Sequence, residues 1–193
     1  MIWDNNDDIR VECCDGTRRH IQSVLDSCRE ERRPYVIIKN ECSAQQSCSS
    51  EVQKGLSRIL VPISMLEEEV YKAEICTYLA RKTGAHLILL RARDYGSKAK
   101  QNMQRIITHI ETIVERTGEK ISYEEQVAKR DSFSFYKDFH FEGWQHDLLL
   151  LTASREYGLD DWLFGPPELY AIRHSQVPVM LVNPRADLFS LCD

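Results

Sequence analysis

Residues 145 to 184 read "QHDLLLLTASREYGLDDWLFGPPELYAIRHSQVPVMLVNP", and the order of elements in this stretch decides the fold. Leu148 to Leu151 is apolar without alternation, the pattern of a strand buried on both faces. A second run, Val177 to Val182, follows a short helical segment that ends before Pro178. Strand, glycine-bearing loop, helix and strand in that order make a crossover unit of a parallel sheet. The loop between Thr152 and Gly165 leaves from the carboxyl end of its strand, where open α/β sheets bind ligands. A small-molecule site is expected there.

Upstream of this stretch the same alternation repeats. "SRILVPIS" places a strand at Ile59 to Ile63, and Ser64 followed by Glu67 matches the capping box Ser-x-x-Glu, which makes Ser64 a helix cap. Leu66, Val70, Ala73, Thr77 and Ala80 continue at helical spacing to Gly84, a natural stop. "HLILLRA" is a second strand. The stripe Ala99, Met103, Ile106, Ile107, Ile110, Ile113 and Val114 is a helix ended by Gly118, and "KISYEEQVA" is a third strand. Asp131 caps a short aromatic helix carrying Phe135, Tyr136 and Phe139. The fold class is therefore α/β, a five-stranded parallel sheet with helices on both faces.

Before this domain, "IRVECC" reads as a strand, Thr17 as a cap, and Ile21, Val24, Leu25 and Cys28 as a helical stripe. "RRPYVIIKN" adds a second strand after Pro34. This strand-helix-strand piece is too small to bury a core alone. "NECSAQQSCSSEVQKG" has no apolar period and is a linker by composition. The division expected is an appendage over 1–40, a linker over 41–57, the main domain over 58–185 and a tail over 186–193.

Composition narrows the function classes. At 193 residues and 42% hydrophobic the chain has enough apolar side chains for a real core. A net charge of -5 without a basic stripe argues against nucleic acid as a partner. The five arginines of "RRHIQSVLDSCREERR" are interrupted by three acids, as on a solvated helix face. No apolar run of about 18 residues exists, so membrane insertion is not expected. The start "MIWDNNDD" lacks a basic head and an apolar centre, which reads as cytoplasmic. Seven cysteines without framework spacing, among them Cys13 and Cys14 side by side and Cys42 and Cys48 in the linker, are expected as free thiols. No pair has Cys-x-x-Cys spacing, so no metal site is expected.

Catalysis finds no support either. His140, Trp144 and His146 have no partner at metal spacing, and no Ser-His-Asp, zincin or Walker pattern is present. The bulky run Trp162, Leu163 and Phe164 reads as cover for a sheet end. The chain is expected not to be an enzyme.

"RILVPIS", "LARKTGAHLILLRA" and the closing stretch together resemble the universal stress protein family over about Arg58 to Pro184. The resemblance implies an adenine-nucleotide-binding α/β fold. It also implies, for members that bind ATP, an aspartate after the first strand and Gly-x-x-Gly, nine residues, then Gly-Ser or Gly-Thr after the fourth. Those positions are Ser64, Thr152, Arg155, Gly165 and Pro166 here, so only Gly165 survives. What is left is a degenerate cofactor site of Ser64, Thr152, Arg155, Gly158 and Gly165.

Side chains at 152 and 155 fill space that glycines leave for a phosphate, and Pro166 and Pro167 lack the N–H donors of a phosphate cradle. Glu168, and Glu67 to Glu69 at the first helix, add like charge, while Arg155 alone pulls the other way. No cofactor is expected, with ATP as the alternative.

Three functions follow from this resemblance. The first is a regulatory or interaction module without catalysis; the second is an adenine-nucleotide sensor with a modified phosphate loop; the third is a regulatory tail of a larger protein such as an ion antiporter. For partners, Val177, Val179, Met180, Leu181 and Val182 form an apolar edge without a charged guard, and in the family this strand commonly pairs with its equivalent. Two occupants compete: the same strand of a second chain, giving a homodimer, which is preferred, or Tyr35 to Lys39 of this chain, giving a pseudo-dimer. "PYVIIKN" echoes "PVMLVN", as though residues 8–39 were the end of a preceding family domain, since tandem members join two domains in one chain.

Overall fold

The computed structural model describes residues 9–31, 33–39, 55–64, 67–91, 93, 98–128, 145–153 and 166–183. The expected aromatic helix after Asp131, residues 41–54 of the linker, and Trp162 to Phe164 lie outside the described residues.

Five strands follow the expected alternation: β3 (Arg58–Ile63), β4 (His86–Arg91), β5 (Tyr123–Val127), β6 (Leu148–Thr152) and β7 (Val179–Val182). They run parallel in the order β7-β6-β3-β4-β5. Helix α2 (Lys72–Thr83) crosses from β3 to β4, α3 (Lys98–Thr117) from β4 to β5, and α4 (Pro167–His174) from β6 to β7. α2 ends where expected, at Gly84, whose φ of 71° an L side chain rarely adopts and whose N–H closes on Ala80 O at 2.8 Å.

Because successive strand residues point to opposite faces, each strand feeds two cores. Ile59, Val61, Leu87, Leu89, Leu148 and Leu150 pack with α2 and α3 on one face. Leu60, Ile88, Leu90, Leu149 and Leu151 pack on the other with α4 and with α1 (Arg18–Glu30). β6 is buried at all five residues, which is why its sequence shows no alternation. Its start is pinned to β3 by Asp147, whose Oδ2 accepts from the backbone N–H of Ser57 and Arg58 at 2.8 and 2.9 Å.

The N-terminal piece does not stand apart. β1 (Arg10–Cys14) pairs in parallel with β2 (Tyr35–Lys39), and β2 pairs antiparallel with β7. The five-stranded parallel sheet is thus part of one seven-stranded mixed sheet, β1-β2-β7-β6-β3-β4-β5. Thr17 caps α1 as expected, accepting from His20 N–H at 3.3 Å, and Ile21, Val24, Leu25 and Cys28 are its buried stripe.

This corrects the expected partner of the last strand. The edge of β7 is taken by β2 of the same chain, with Tyr35 opposite Leu181, Val36 opposite Met180 and Ile37 opposite Val179, so a second chain cannot pair there. Val179 to Val182 are buried in that pairing. Val177 falls outside the strand, since Pro178 carries no N–H for a ladder, and is held instead by reciprocal bonds with the Ser175 hydroxyl.

The pairing is a local pseudo-two-fold. Laying Pro34 on Pro178 carries Val36 onto Met180, which is also its partner across the sheet. The two units also have equivalent hydrogen bonds, with β1 and β6 matched through their registers to β2 and β7. Arg10 N–H donates to Pro34 O at 3.0 Å where Leu149 N–H donates to Pro178 O at 3.1 Å. Glu31 N–H closes α1 on Ser27 O at 2.9 Å where Ser175 N–H closes α4 on Ala171 O at 2.8 Å. The residues at the ends of the two last strands, Lys39 and Asn183, reach the other unit's helix end. Asn183 Nδ2 donates to the carbonyls of Cys28 and Glu31 at 2.8 and 3.0 Å, and Lys39 Nζ to that of Arg173 at 3.0 Å. Both satisfy carbonyls that a helix C-terminus leaves open.

Cysteine usage also departs from expectation. Cys14, Cys28 and Cys76 are free and buried, but Cys13 is disulfide-bonded. Facing the opposite side of β1 from Cys14, it is the position at which seven free thiols is wrong.

Candidate functional site

β3 sends its crossover to β4 on one side while β6 lies on its other side, so the carboxyl ends of β3 and β6 flank the point where the winding reverses. Crevices at such points are where open α/β sheets take ligands. The structure brings two of the expected site residues there. The register of Ile59 with Leu148 and Leu60 with Leu149, continued along the strands, sets Thr152 beside Ile63, next to Ser64. Both are buried, at 4% exposure for Ser64 and 6% for Thr152. Arg155, Gly158 and Gly165 lie outside the described residues.

The element that follows Ser64 is not yet the α-helix expected there. A 3-10 helix (Glu67–Tyr71) precedes α2, whose cap residue Tyr71 supplies no side-chain bond. The Ser64 hydroxyl donates to Glu69 Oε1 at 2.8 Å. Glu69 Oε2 lies 2.5 Å from Lys72 Nζ, an ion pair in which both side chains are fully buried. The same Lys72 ammonium donates to Pro62 O, and Asn102 Nδ2, from α3, donates to Ser64 O at 3.0 Å.

The end of β3 is therefore closed by a buried network of the chain's own groups. Glu69 is not the unscreened like charge expected from sequence, because Lys72 neutralises it in place. A buried pair of this kind is tolerated only when its remaining donors and acceptors are met, which Ser64 and Pro62 help to do here.

Across the crevice the end of β6 is different. Thr152 Oγ1 is buried and has no hydrogen-bond partner among the described residues. Beyond it, α4 starts at Pro166, extended at φ -66° and ψ 154°, with Pro167 as its first residue. Neither proline has an N–H, so two donors of the helix start are missing, as expected. Glu168 in the first turn is buried, so the positive end of this helix already has a carboxylate from the chain.

Candidate nucleophiles are quiet. Burial pushes the Cys76 thiol up to about 12, and burial with the Glu168 charge pushes Cys28 up to about 12. At neutral pH neither supplies a thiolate.

Sequence reasoning missed Lys72 and Asn102. Asn102 left a trace, since it falls between Ala99 and Met103 on the apolar stripe of α3 and so had to be buried with a partner. Lys72 left none. Glu and Lys three apart are ordinary on a wet helix surface, and nothing local says that this pair is buried.

Comparison with known proteins rests on structure alone: no family model matches the chain, and no curated protein matches it in sequence. Among solved structures it is similar to a universal stress protein from Archaeoglobus fulgidus DSM 4304, at 14% identity and a TM-score of 0.61 over 93% of this chain and 62% of that one. It is also similar to a universal stress protein crystallised in complex with cAMP, at 14% identity and a TM-score of 0.54 over 68% of this chain and 100% of that one. The chain spans less than two thirds of the length of the first. No helix of the described residues is long and apolar enough to cross a membrane. With the strand order, the switch-point crevice and these likenesses together, the chain carries a universal-stress-protein-like α/β segment, with the fold of that family.

Proposed function

We propose that this chain is a regulatory or interaction module of the universal stress protein kind that neither catalyses a reaction nor binds ATP at the usual crevice. The observation that carries this reading is the Ser64-Glu69-Lys72 network. The chain's own groups close the end of β3, and a charged ligand would meet a pair already neutralised. The missing donors at Pro166 and Pro167 and the buried Glu168 act in the same direction at α4. A cytoplasmic setting fits the free thiols Cys14, Cys28 and Cys76, and the bonded Cys13 is the feature that pulls against it.

One observation favours a second reading, an adenine-nucleotide sensor using Arg155 and Gly165. Thr152 Oγ1 is a buried hydroxyl without a partner among the described residues at the switch point, and the similar protein crystallised with cAMP has the same fold.

Calorimetric titration of the full chain with Mg-ATP and with cAMP, beside mass spectrometry of the purified protein for carried nucleotide, separates the two. No carried nucleotide and no affinity tighter than about 1 mM is expected. Saturable micromolar binding of either nucleotide that Thr152→Ala or Arg155→Ala weakens would replace the first reading with the second. The combined change Ser64→Asp, Thr152→Gly, Arg155→Gly and Pro166→Ser restores the family pattern and is expected to gain binding only where the crevice is otherwise open.

A further inference from the structure

The seven-stranded sheet has two outer strands, β1 and β5, and these carry the exposed large hydrophobic residues among the described ones: Val11 at 39% and Val127 at 47%. An unpaired strand edge is a template for another strand unless its side chains forbid it. β5 forbids its own kind. Its sequence is Tyr-Glu-Glu-Gln-Val, and antiparallel self-pairing centred on Glu125 sets that carboxylate opposite its copy.

β1 is built the other way. Arg10, Val11 and Glu12 alternate in charge, so an antiparallel copy centred on Val11 sets Arg10 opposite Glu12 of the second chain, Glu12 opposite Arg10, and Val11 opposite Val11. The backbone agrees with that centre. Arg10 N–H donates inward to Pro34 O, and in a parallel ladder its neighbour Val11 therefore turns N–H and C=O outward, as the central hydrogen-bonded pair of a two-fold requires. Arg10 and Glu12 stay partly exposed, at 41% and 28%, although they already pair at 2.6 Å within the strand and Arg10 also pairs with Glu31. With Glu31 they can join one charge cluster across the axis.

We propose that β1 is the edge through which two copies of this chain pair, antiparallel and two-fold symmetric about Val11. The pairing makes one continuous sheet through both molecules. It does not use the β7 edge, which β2 already holds, and it stands whether or not the crevice binds nucleotide. A five-residue strand buries less than the roughly 1,200 Å² of a standard interface, so the dimer is weak and forms with rising concentration. Its charge pairs are exposed, so it loosens as salt is raised.

Sedimentation velocity on the full chain, over a dilution series reaching about 0.5 mM at low salt, is the test. The wild type is expected to shift from monomer to dimer. Arg10→Glu sets like charges opposite each other and weakens the dimer about tenfold. Adding Glu12→Arg to it restores the affinity to within a few fold. Val11→Lys, at an exposed position that keeps the fold, abolishes the dimer, with far-ultraviolet circular dichroism confirming an unchanged monomer. A wild type that stays monomeric throughout overturns the proposal, as does a dimer indifferent to both Arg10→Glu and Val11→Lys.

Discussion

β1-α1-β2 and β6-α4-β7 have one backbone plan and two different environments. Their strands share a register, their helices end on equivalent hydrogen bonds, and each unit's last strand pairs with the other's about Val36 and Met180. Yet the position of Val11 in the first unit is that of Leu150 in the second, one 39% exposed and the other fully buried. Arg10 and Glu12 stand where β6 has Leu149 and Leu151. The difference is that β6 has β3 on its far side and, among the described residues, β1 has no strand there. Backbone geometry is set by the unit itself, and side-chain polarity by what lies next to it.

The strongest way to break the comparison is at its axis. Val36 and Met180 are both fully buried opposite each other, so Val36→Lys and Met180→Lys each bury a charge without a partner. Both are expected to cost about 4 kcal/mol or more in denaturant titration, and to within about 1 kcal/mol of each other. A much smaller loss for Val36→Lys would mean that the first unit can leave the sheet while the second remains folded.

A moderate effect sharpens it at the helix ends. Asn183 makes one buried and one part-buried bond to the end of α1 and its cap, whereas Lys39 makes one exposed bond to α4. Asn183→Ala is expected to cost about 1–3 kcal/mol and Lys39→Ala under about 1 kcal/mol, measured as shifts in the denaturation midpoint. Equal losses would show that the two clamps are energetically alike despite their burial.

The smallest effect is a pH dependence confined to the first unit. The Tyr35 hydroxyl, with Arg33 and Arg10 after it, holds the Glu31 carboxyl below its ordinary 4.5, and the second unit has Ser175 and Val179 in the equivalent places. A carboxylate with a depressed folded-state pKa contributes stability above its unfolded pKa. That contribution is lost as pH falls through the folded one. Arg33 Nε donates to Glu31 Oε2 at 2.8 Å, so thermal melts should show wild type above Arg33→Gln at pH 7, with the gap narrowing below about pH 4. A gap constant with pH would show that the loss does not come from the Glu31 charge.

The legibility of the chain varied with the range of the interactions involved. Both helix stops at glycine, the Thr17 cap and the buried stripe of α1 were readable because capping, left-handed turns and 3.6-residue periodicity act within a few residues. The missing donors at α4 were readable because proline lacks an N–H wherever it stands. Ser64 misled. Its local pattern predicted the start of an α-helix, but a 3-10 helix comes first, and the hydroxyl donates to a buried carboxylate five residues on.

By itself, the sequence determined the alternation of strands and helices and the parallel core, since each follows from residue type and short-range spacing. Only the tertiary structure decided that Glu69 and Lys72 are buried together, that Cys13 is bonded, and that β2 rather than a second chain covers β7. Each of these depends on which segments meet across many residues of chain. An apolar edge specifies that it will be covered, but the hydrophobic effect has no direction and does not name the partner.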